Sequence, residues 1–160
     1  LPPGLYLWAR VPSHLRRLRQ ELASGFHWEK PARVPEGFPL FLLKEGDFRS
    51  RAARASCYQE TAADGAFCLI LFGRLEAAIY KGGISGYAQL HWEAGFLGQW
   101  LYLEAEASGV AGTGIGCFFD SEPLAWFGLQ GGRWQVIYHF SIGSALPDPR
   151  IMSWDPYLQS

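Results

Sequence analysis

With 160 residues and a formal net charge of −1, the chain has room for one hydrophobic core and carries no electrostatic footprint for nucleic acid or an anionic membrane. Its composition, 49% hydrophobic and 16% aromatic, is that of a globular domain able to fill such a core. No apolar stretch approaches the roughly 20 residues needed to cross a bilayer.

In chain order, GLYLWAR (4–10) alternates aromatic and aliphatic residues and predicts a strand that Pro12 stops. Ser13 caps a helix running to about Ser24, with Leu15, Leu18 and Leu22 on one face and Arg16, Arg17 and Arg19 on a solvated one. Prolines 31, 35 and 39 mark an extended connector, and PLFLLKEGD (39–47) a short buried strand with a turn after it. Residues 47–61 read as a helix capped by Asp47. AFCLILFG (66–73) is a continuous apolar run of strand length, the pattern of a strand covered on both faces. A short helix over 74–81 and a glycine-rich turn, KGGISG, follow.

The longest predicted element runs from Tyr87 to Ser108 without a proline. Leu90, Ala94, Leu97, Leu101 and Ala105 form one stripe, while Trp92, Phe96, Leu103 and Ala107 cover other faces. A helix apolar nearly all round is buried, in a core or between subunits. Gly95 and Gly98 would each weaken it by about 1 kcal/mol unless they permit close packing. Gly109 caps its end; VAGTGIGCFF (110–119) then reads as strand or loop, 120–129 as a short helix capped by Asp120, and RWQVIYHFSIG (133–143) as a long strand. The tail, with three prolines, is an arm lying across another surface.

The chemistry-bearing residues are sparse. GTGIG (112–116) lacks the G-x-G-x-x-G spacing and the strand-to-helix setting of a dinucleotide fingerprint, and no GK[ST] phosphate loop occurs. Gly83-Ile84-Ser85-Gly86 is not a nucleophile elbow. His14, His27, His91 and His139 are scattered singly, as structural or surface histidines are. Glu93, Glu104 and Glu106 on the long helix fit ion pairing or subunit contact. Cys57, Cys68 and Cys117 show no C-x-x-C pair, which argues against a thiolate metal site or a disulfide framework and for reduced thiols in the cytoplasm. The N-terminus lacks a signal-peptide pattern, and its Leu1 start points to a piece of a longer protein. What remains is the glycine strip itself: Gly112, Gly114 and Gly116 leave backbone N–H groups unobstructed, with Phe118 and Phe119 as apolar walls, which suits either a structural turn or a planar ligand such as a flavin.

HWEAGFLGQWLYLEAEASGVAGTGIGCFFD (91–120) followed by GLQGGRWQVIYHFSIGSALPDPRI (128–151) resembles the C-terminal half of nitroreductase-superfamily flavoproteins, most of all the SagB-type dehydrogenases, including forms with two such halves in one chain. The resemblance rests on Gly109, Gly114-Ile115-Gly116, Phe118, Phe127-Gly128-Leu129 and Ile142-Gly143 in that order, and covers roughly residues 4–157. It implies an α+β nitroreductase-like sandwich with a central antiparallel or mixed sheet and a long buried interface helix, over 1–145, with 146–160 as an extended C-terminal arm. It further implies FMN bound where two copies, or two halves, pair through that helix.

Carried over by position, Gly114, Ile115, Gly116 and Cys117 would line the flavin, with the Gly116 and Cys117 backbone facing its N5 and O4. Arg150 would meet the FMN phosphate, and Tyr87 matches the tyrosine of a catalytic Lys-Tyr pair in azoline-oxidising members. Gly86 stands where that pair has its lysine, and no Arg-x-Ser-x-Arg phosphate segment opens the chain; RSRAARAS (49–56) lies elsewhere in the order. The implied function is hydride transfer through the flavin to or from a small molecule or an azoline-containing peptide, in the cytoplasm, with no nucleic-acid or membrane partner. A non-catalytic domain serving dimerisation or partner binding is the alternative, and a module for another planar ligand the third.

Overall fold

The alternating residues of Gly4–Trp8 form strand β1, which pairs antiparallel with β2, Leu40–Glu45, in a two-stranded sheet. The computed structural model describes residues 1–129, 132–146, 148–152, 154 and 157. Between these strands, Pro12–His14 makes a single 3-10 turn and Leu15–Glu21 forms helix α1. Ser13 thus sits inside the turn rather than capping, and the helix ends at Glu21, three residues before the expected end near Ser24. Leu22 and Leu43 close a small core with Phe127, joined by Leu5, Leu7, Leu18, Phe26 and Trp28.

The N-cap of α2, Arg49–Ala55, is Phe48 rather than Asp47, which stands one residue earlier and accepts a hydrogen bond from the Arg49 N–H at 2.9 Å. That helix stops well short of residue 61: Cys57 and Tyr58 both take positive φ, +54° and +58°, and the chain turns into a one-turn helix α3, Thr61–Asp64. Strand β3, Phe67–Gly73, follows, then α4, Leu75–Gly82, and the 24-residue helix α5, Ile84–Ala107. Strand β4 is Ala111–Ile115, α6 is Ser121–Phe127 and β5 is Gln135–Gly143.

The main sheet has the order β3-β5-β4, antiparallel throughout. The apolar run 66–73 is therefore an edge strand and only half covered, with Phe67 exposed. The strand buried on both sides is β5. Its Tyr138, Phe140 and Ile142 face α5, where Phe140 and Ile142 form a core with Ala105, Leu101 and Val110. Its His139 and Ser141 face the opposite way, towards α2 and α3: His139 meets Ser56, and Ser141 Oγ donates to the Thr61 carbonyl at 2.5 Å. Helices on both sides of a short antiparallel sheet make this an α+β fold.

Candidate functional site

The glycine strip occupies the edge strand β4 and its exit. Gly114 stands opposite Phe140 and Gly112 opposite Ile142 in the ladder, and aromatic rings from β5 lie diagonally across both glycines. A Cβ at Gly112 would sit 2.8 Å from the Phe140 ring, and one at Gly114 only 1.8 Å from the Tyr138 hydroxyl oxygen. The Gly114 N–H is also engaged, donating to Tyr102 Oη of α5 at 2.7 Å. Gly112 and Gly114 are thus small so that the chain's own aromatic residues can fit; the side-chain space the sequence offered to a ligand is already filled there.

Ile115 is buried, with 1% of its surface exposed. Gly116 is different. A Cβ there would meet nothing within 4 Å, and it lies one residue beyond the last paired residue of β4. Cys117 next to it is exposed. The Gly116–Cys117 backbone is the part of the strip still open for a flat ligand to approach. The surface depressions around Lys30–Glu36 and around Ser13–Gln20 are lined by none of these residues.

Behind the strip lies a buried polar cluster that the sequence does not announce. His139, with no exposed surface, shares a hydrogen bond between its Nδ1 and Ser56 Oγ at 2.9 Å, while Phe118 stacks on its ring at 4.6 Å and 13°. Its Nε2 is buried and has no hydrogen-bond partner among the described residues. Burial pushes the imidazole pKa down to about 4, so the ring is neutral at pH 7. The Cys68 thiol is pushed up to about 11, by burial first and against hydrogen bonds from Ser56 and the Phe140 backbone. Neither group is a charge a phosphate could use.

The remaining predicted residues are Tyr87 and Arg150. Tyr87 sits near the start of α5, its ring 4.5 Å from that of His91, and His91 Nδ1 lies 3.1 Å from the Tyr87 carbonyl oxygen. Tyr102, which binds the strip, is fifteen residues further on, about 22 Å along the axis at ~1.5 Å per residue. One chain therefore does not bring Tyr87 and Gly116 together. Position 86 cannot hold the lysine of a Lys-Tyr pair: a Cβ there would lie 2.0 Å from the Ala78 carbonyl oxygen of α4. Arg150 is 88% exposed along its side chain and makes a two-pronged pair with Asp148, Nη2 to Oδ2 at 2.7 Å and Nε to Oδ1 at 2.9 Å. That pairing holds the Asp148 carboxyl below the usual carboxylate range, and an incoming phosphate would have to compete with it.

The long helix departs from its predicted burial. Gly86, Ala94, Gly98 and Ala105 are buried, and Gly98 admits the Tyr138 ring at 2.9 Å from where a Cβ would be. Trp92, Phe96, Trp100 and Leu103, spaced four, four and three residues apart, are instead 69%, 64%, 55% and 63% exposed. In this chain alone the helix is a core element on one face and a bare apolar surface on another. Its glutamates are surface groups: Glu93 reaches Arg10 at 3.8 Å, and Glu104 accepts from the Trp100 indole N–H at 3.0 Å. Among the described residues no helix is long and apolar enough to cross a membrane.

Comparison with known proteins agrees with this architecture. No curated protein matches the chain. Among solved structures, the crystal structure of a nitroreductase-type protein from Anabaena variabilis ATCC 29413 is similar at a TM-score of 0.61 and 31% identity, over 66% of this chain and 21% of that one. The chain thus spans about a fifth of that protein's length. The sequence model of the nitroreductase family matches residues 11–144, from the turn before α1 to the end of β5. With that match covering most of the α+β fold described above, the chain belongs to the nitroreductase family.

Proposed function

We propose that this chain is the C-terminal half of an FMN-dependent oxidoreductase of the SagB-type dehydrogenase kind, and that it works by pairing through α5 with a second copy or a second nitroreductase-like half. The observation that carries the reading is the exposed row Trp92, Phe96, Trp100 and Leu103 on the same helix whose Tyr102 accepts from the Gly114 N–H, two residues before the open Gly116–Cys117 backbone. A contiguous apolar row of that kind marks an interaction surface. A planar ring held at the pairing interface would gain the water exclusion that a lone chain does not supply.

In this reading FMN supplies hydride acceptance and donation, and the substrate is a small molecule or an azoline-containing peptide. The chain's own part is limited. Gly116 would allow a flavin close approach, and the Gly116 and Cys117 backbone N–H groups would be the donors available to it. Gly114 and Ile115 act from behind, fixing that backbone through Tyr102 and the core. Arg150 would offer its guanidinium to the phosphate once it exchanges Asp148 for it; the arm expected over 146–160 lies partly outside the described residues. Tyr87, some 22 Å along the helix from Tyr102, would hold a proton at the site formed with the opposite half, without a lysine beside it. The cytoplasm suits such a protein.

A second reading is favoured by one observation, the filling of Gly112 and Gly114 by Phe140 and Tyr138. It keeps the same pairing through α5 but makes the domain a non-catalytic partner. The two are separated by flavin absorbance of the purified chain, FMN titration of its melting temperature, and sedimentation. The oxidoreductase reading expects yellow protein, or a Tm that climbs with FMN as ligand linkage requires, ~2.7 kcal/mol of added stability at a hundredfold excess over Kd. Gly116→Val should abolish that climb without lowering the Tm of the free chain. A colourless dimer whose Tm ignores FMN would establish the non-catalytic reading instead.

A further inference from the structure

Cys57 and Cys117 are sixty positions apart in sequence and adjacent in the fold. Residue 57 gets there through the two consecutive positive-φ residues that end α2, Cys57 at +54° and Tyr58 at +58°, conformations a side chain adopts only when its surroundings enforce them. Three contacts then lock residues 55–59 against 117–119. The Phe119 N–H donates to the Ala55 carbonyl at 2.8 Å. Gln59 Nε2 bridges the Ser56 carbonyl at 2.8 Å and the Cys117 carbonyl at 3.2 Å. The Tyr58 ring meets Phe119 edge-on at 6.3 Å between centroids.

Within that clamp the Cys57 thiol sits beside Cys117, whose thiol, by hydrogen bonding first and burial after it, holds the pKa of Cys57 above its ordinary value. Cys117 is exposed and Cys57 half-buried, so an oxidant reaches Cys117 first. The third cysteine, Cys68, lies on β3 in the buried cluster with Ser56 and is poor in thiolate.

We propose that Cys57 and Cys117 form a reversible dithiol–disulfide pair that responds to hydroperoxides and is reset by low-molecular-weight thiols. The Cys117 thiolate attacks the O–O bond of the peroxide, becoming a sulfenic acid while the peroxide leaves as water or an alcohol. The Cys57 sulfur then attacks the sulfenic sulfur; the S–S bond forms, the S–O bond breaks and a second water leaves. In sum, two thiols and ROOH give a disulfide, ROH and H2O, with two electrons passing from the sulfurs to the peroxide. Two exchanges with an external thiol reverse it. The bond would tie the turn after α2 to the exit of β4, fixing the Gly116–Cys117 segment. None of this depends on flavin binding, and a transient disulfide of this sort is compatible with a reducing compartment.

The test uses the whole chain, treated with a few equivalents of hydrogen peroxide, alkylated with iodoacetamide and read by intact mass and peptide mapping. The expected product is a monomeric chain lighter by two hydrogen atoms, with a single cross-linked peptide joining Cys57 to Cys117. Free thiols fall from the three of the reduced chain to one and return in full with dithiothreitol. Cys68→Ser should leave the cross-link intact. Cys57→Ser should abolish it and leave a sulfenic acid on Cys117 that dimedone captures, and Cys117→Ser should abolish both. The peptide map of the unsubstituted chain is decisive by itself, so misfolding of a variant does not blunt the test. A cross-link through Cys68, links only between chains, or over-oxidation of Cys117 with Cys57 still free would each overturn the proposal.

Discussion

Along α5, Gly98 and Ala105 lie closed against Tyr138 and Phe140 of the sheet, whereas Trp92, Phe96, Trp100 and Leu103 on the same helix keep more than half of their surface in solvent. The first face is made of the smallest residues and is complete; the second is made of the largest and is not. Small residues win on the inner face because the bulk there comes from β5, and interiors tolerate neither gaps nor overlap. The outer face has no such partner in this chain. Composition alone, apolar on every side and with a glycine on each face, does not distinguish the two; what each glycine meets does, Gly98 the Tyr138 ring and Gly95 nothing within 4 Å.

That contrast can be broken most forcefully at Gly114. Gly114→Ala places a methyl 1.8 Å from the Tyr138 hydroxyl oxygen, so it should destabilise the chain by about 3 kcal/mol or leave it unfolded. Gly116→Ala, two residues on, meets nothing and should stay within ~0.5 kcal/mol of the parent. Removing the hydroxyl with Tyr138→Phe should recover about half of the Gly114→Ala loss, a coupling between neighbours that denaturant midpoints of the four chains would expose. Equal tolerance at 114 and 116 would mean that the strip is open along its length after all.

The far side of β5 offers a pH-dependent version of the same question. His139 is folded in neutral, its pKa pushed by burial from 6.5 to about 4, so between those values the unfolded chain binds a proton that the native one refuses. Its contribution is therefore fully present above pH 6.5 and is lost as pH falls towards 4, an expected decline of about 3 kcal/mol. His139→Gln, which can still hydrogen-bond Ser56, should flatten that part of the stability-against-pH curve. A curve of the same slope in both proteins would place the titrating groups elsewhere and make His139 a bystander.

How far the sequence reveals this architecture depends on whether a residue's partner is near or far along the chain. Strand β1 follows from alternation, β2 and β5 are legible as apolar stretches of strand length, and Asp47 finds its N–H partner only two residues on. The apolar run of β3 does not say whether it lies at the centre of a sheet or at its edge, since that depends on which strand joins it. The glycine strip misleads for the same reason: residues 112 and 114 are emptied for aromatic rings 24 to 28 positions later. An alternation of Gly on one strand and Tyr-x-Phe on another is the signal that was available. Nothing local announces the positive φ of Cys57 and Tyr58, neither of them glycine, and so nothing local brings Cys57 to Cys117. Gly116 is legible as an open position; Tyr87 and Arg150 come only from the family resemblance, and the distance of Tyr87 from Tyr102 along α5 is a fact of the fold.

The outer face is most finely probed at Gly95, which sits one turn from Trp92 and, unlike Gly98, has nothing within 4 Å of its Cβ position. In a bare chain Gly95→Ala should stabilise by about 0.5–1 kcal/mol, because alanine restricts the unfolded backbone and suits a helix interior. If a second half packs closely over this face, the same methyl intrudes on the interface and weakens association. Dilute chemical denaturation and sedimentation at high concentration measure the two effects separately. Higher stability with weaker association marks Gly95 as a point of close backbone contact between halves. Higher stability with association unchanged puts the contact on Trp92, Phe96, Trp100 and Leu103, whose rings would then hold the two backbones apart at Gly95.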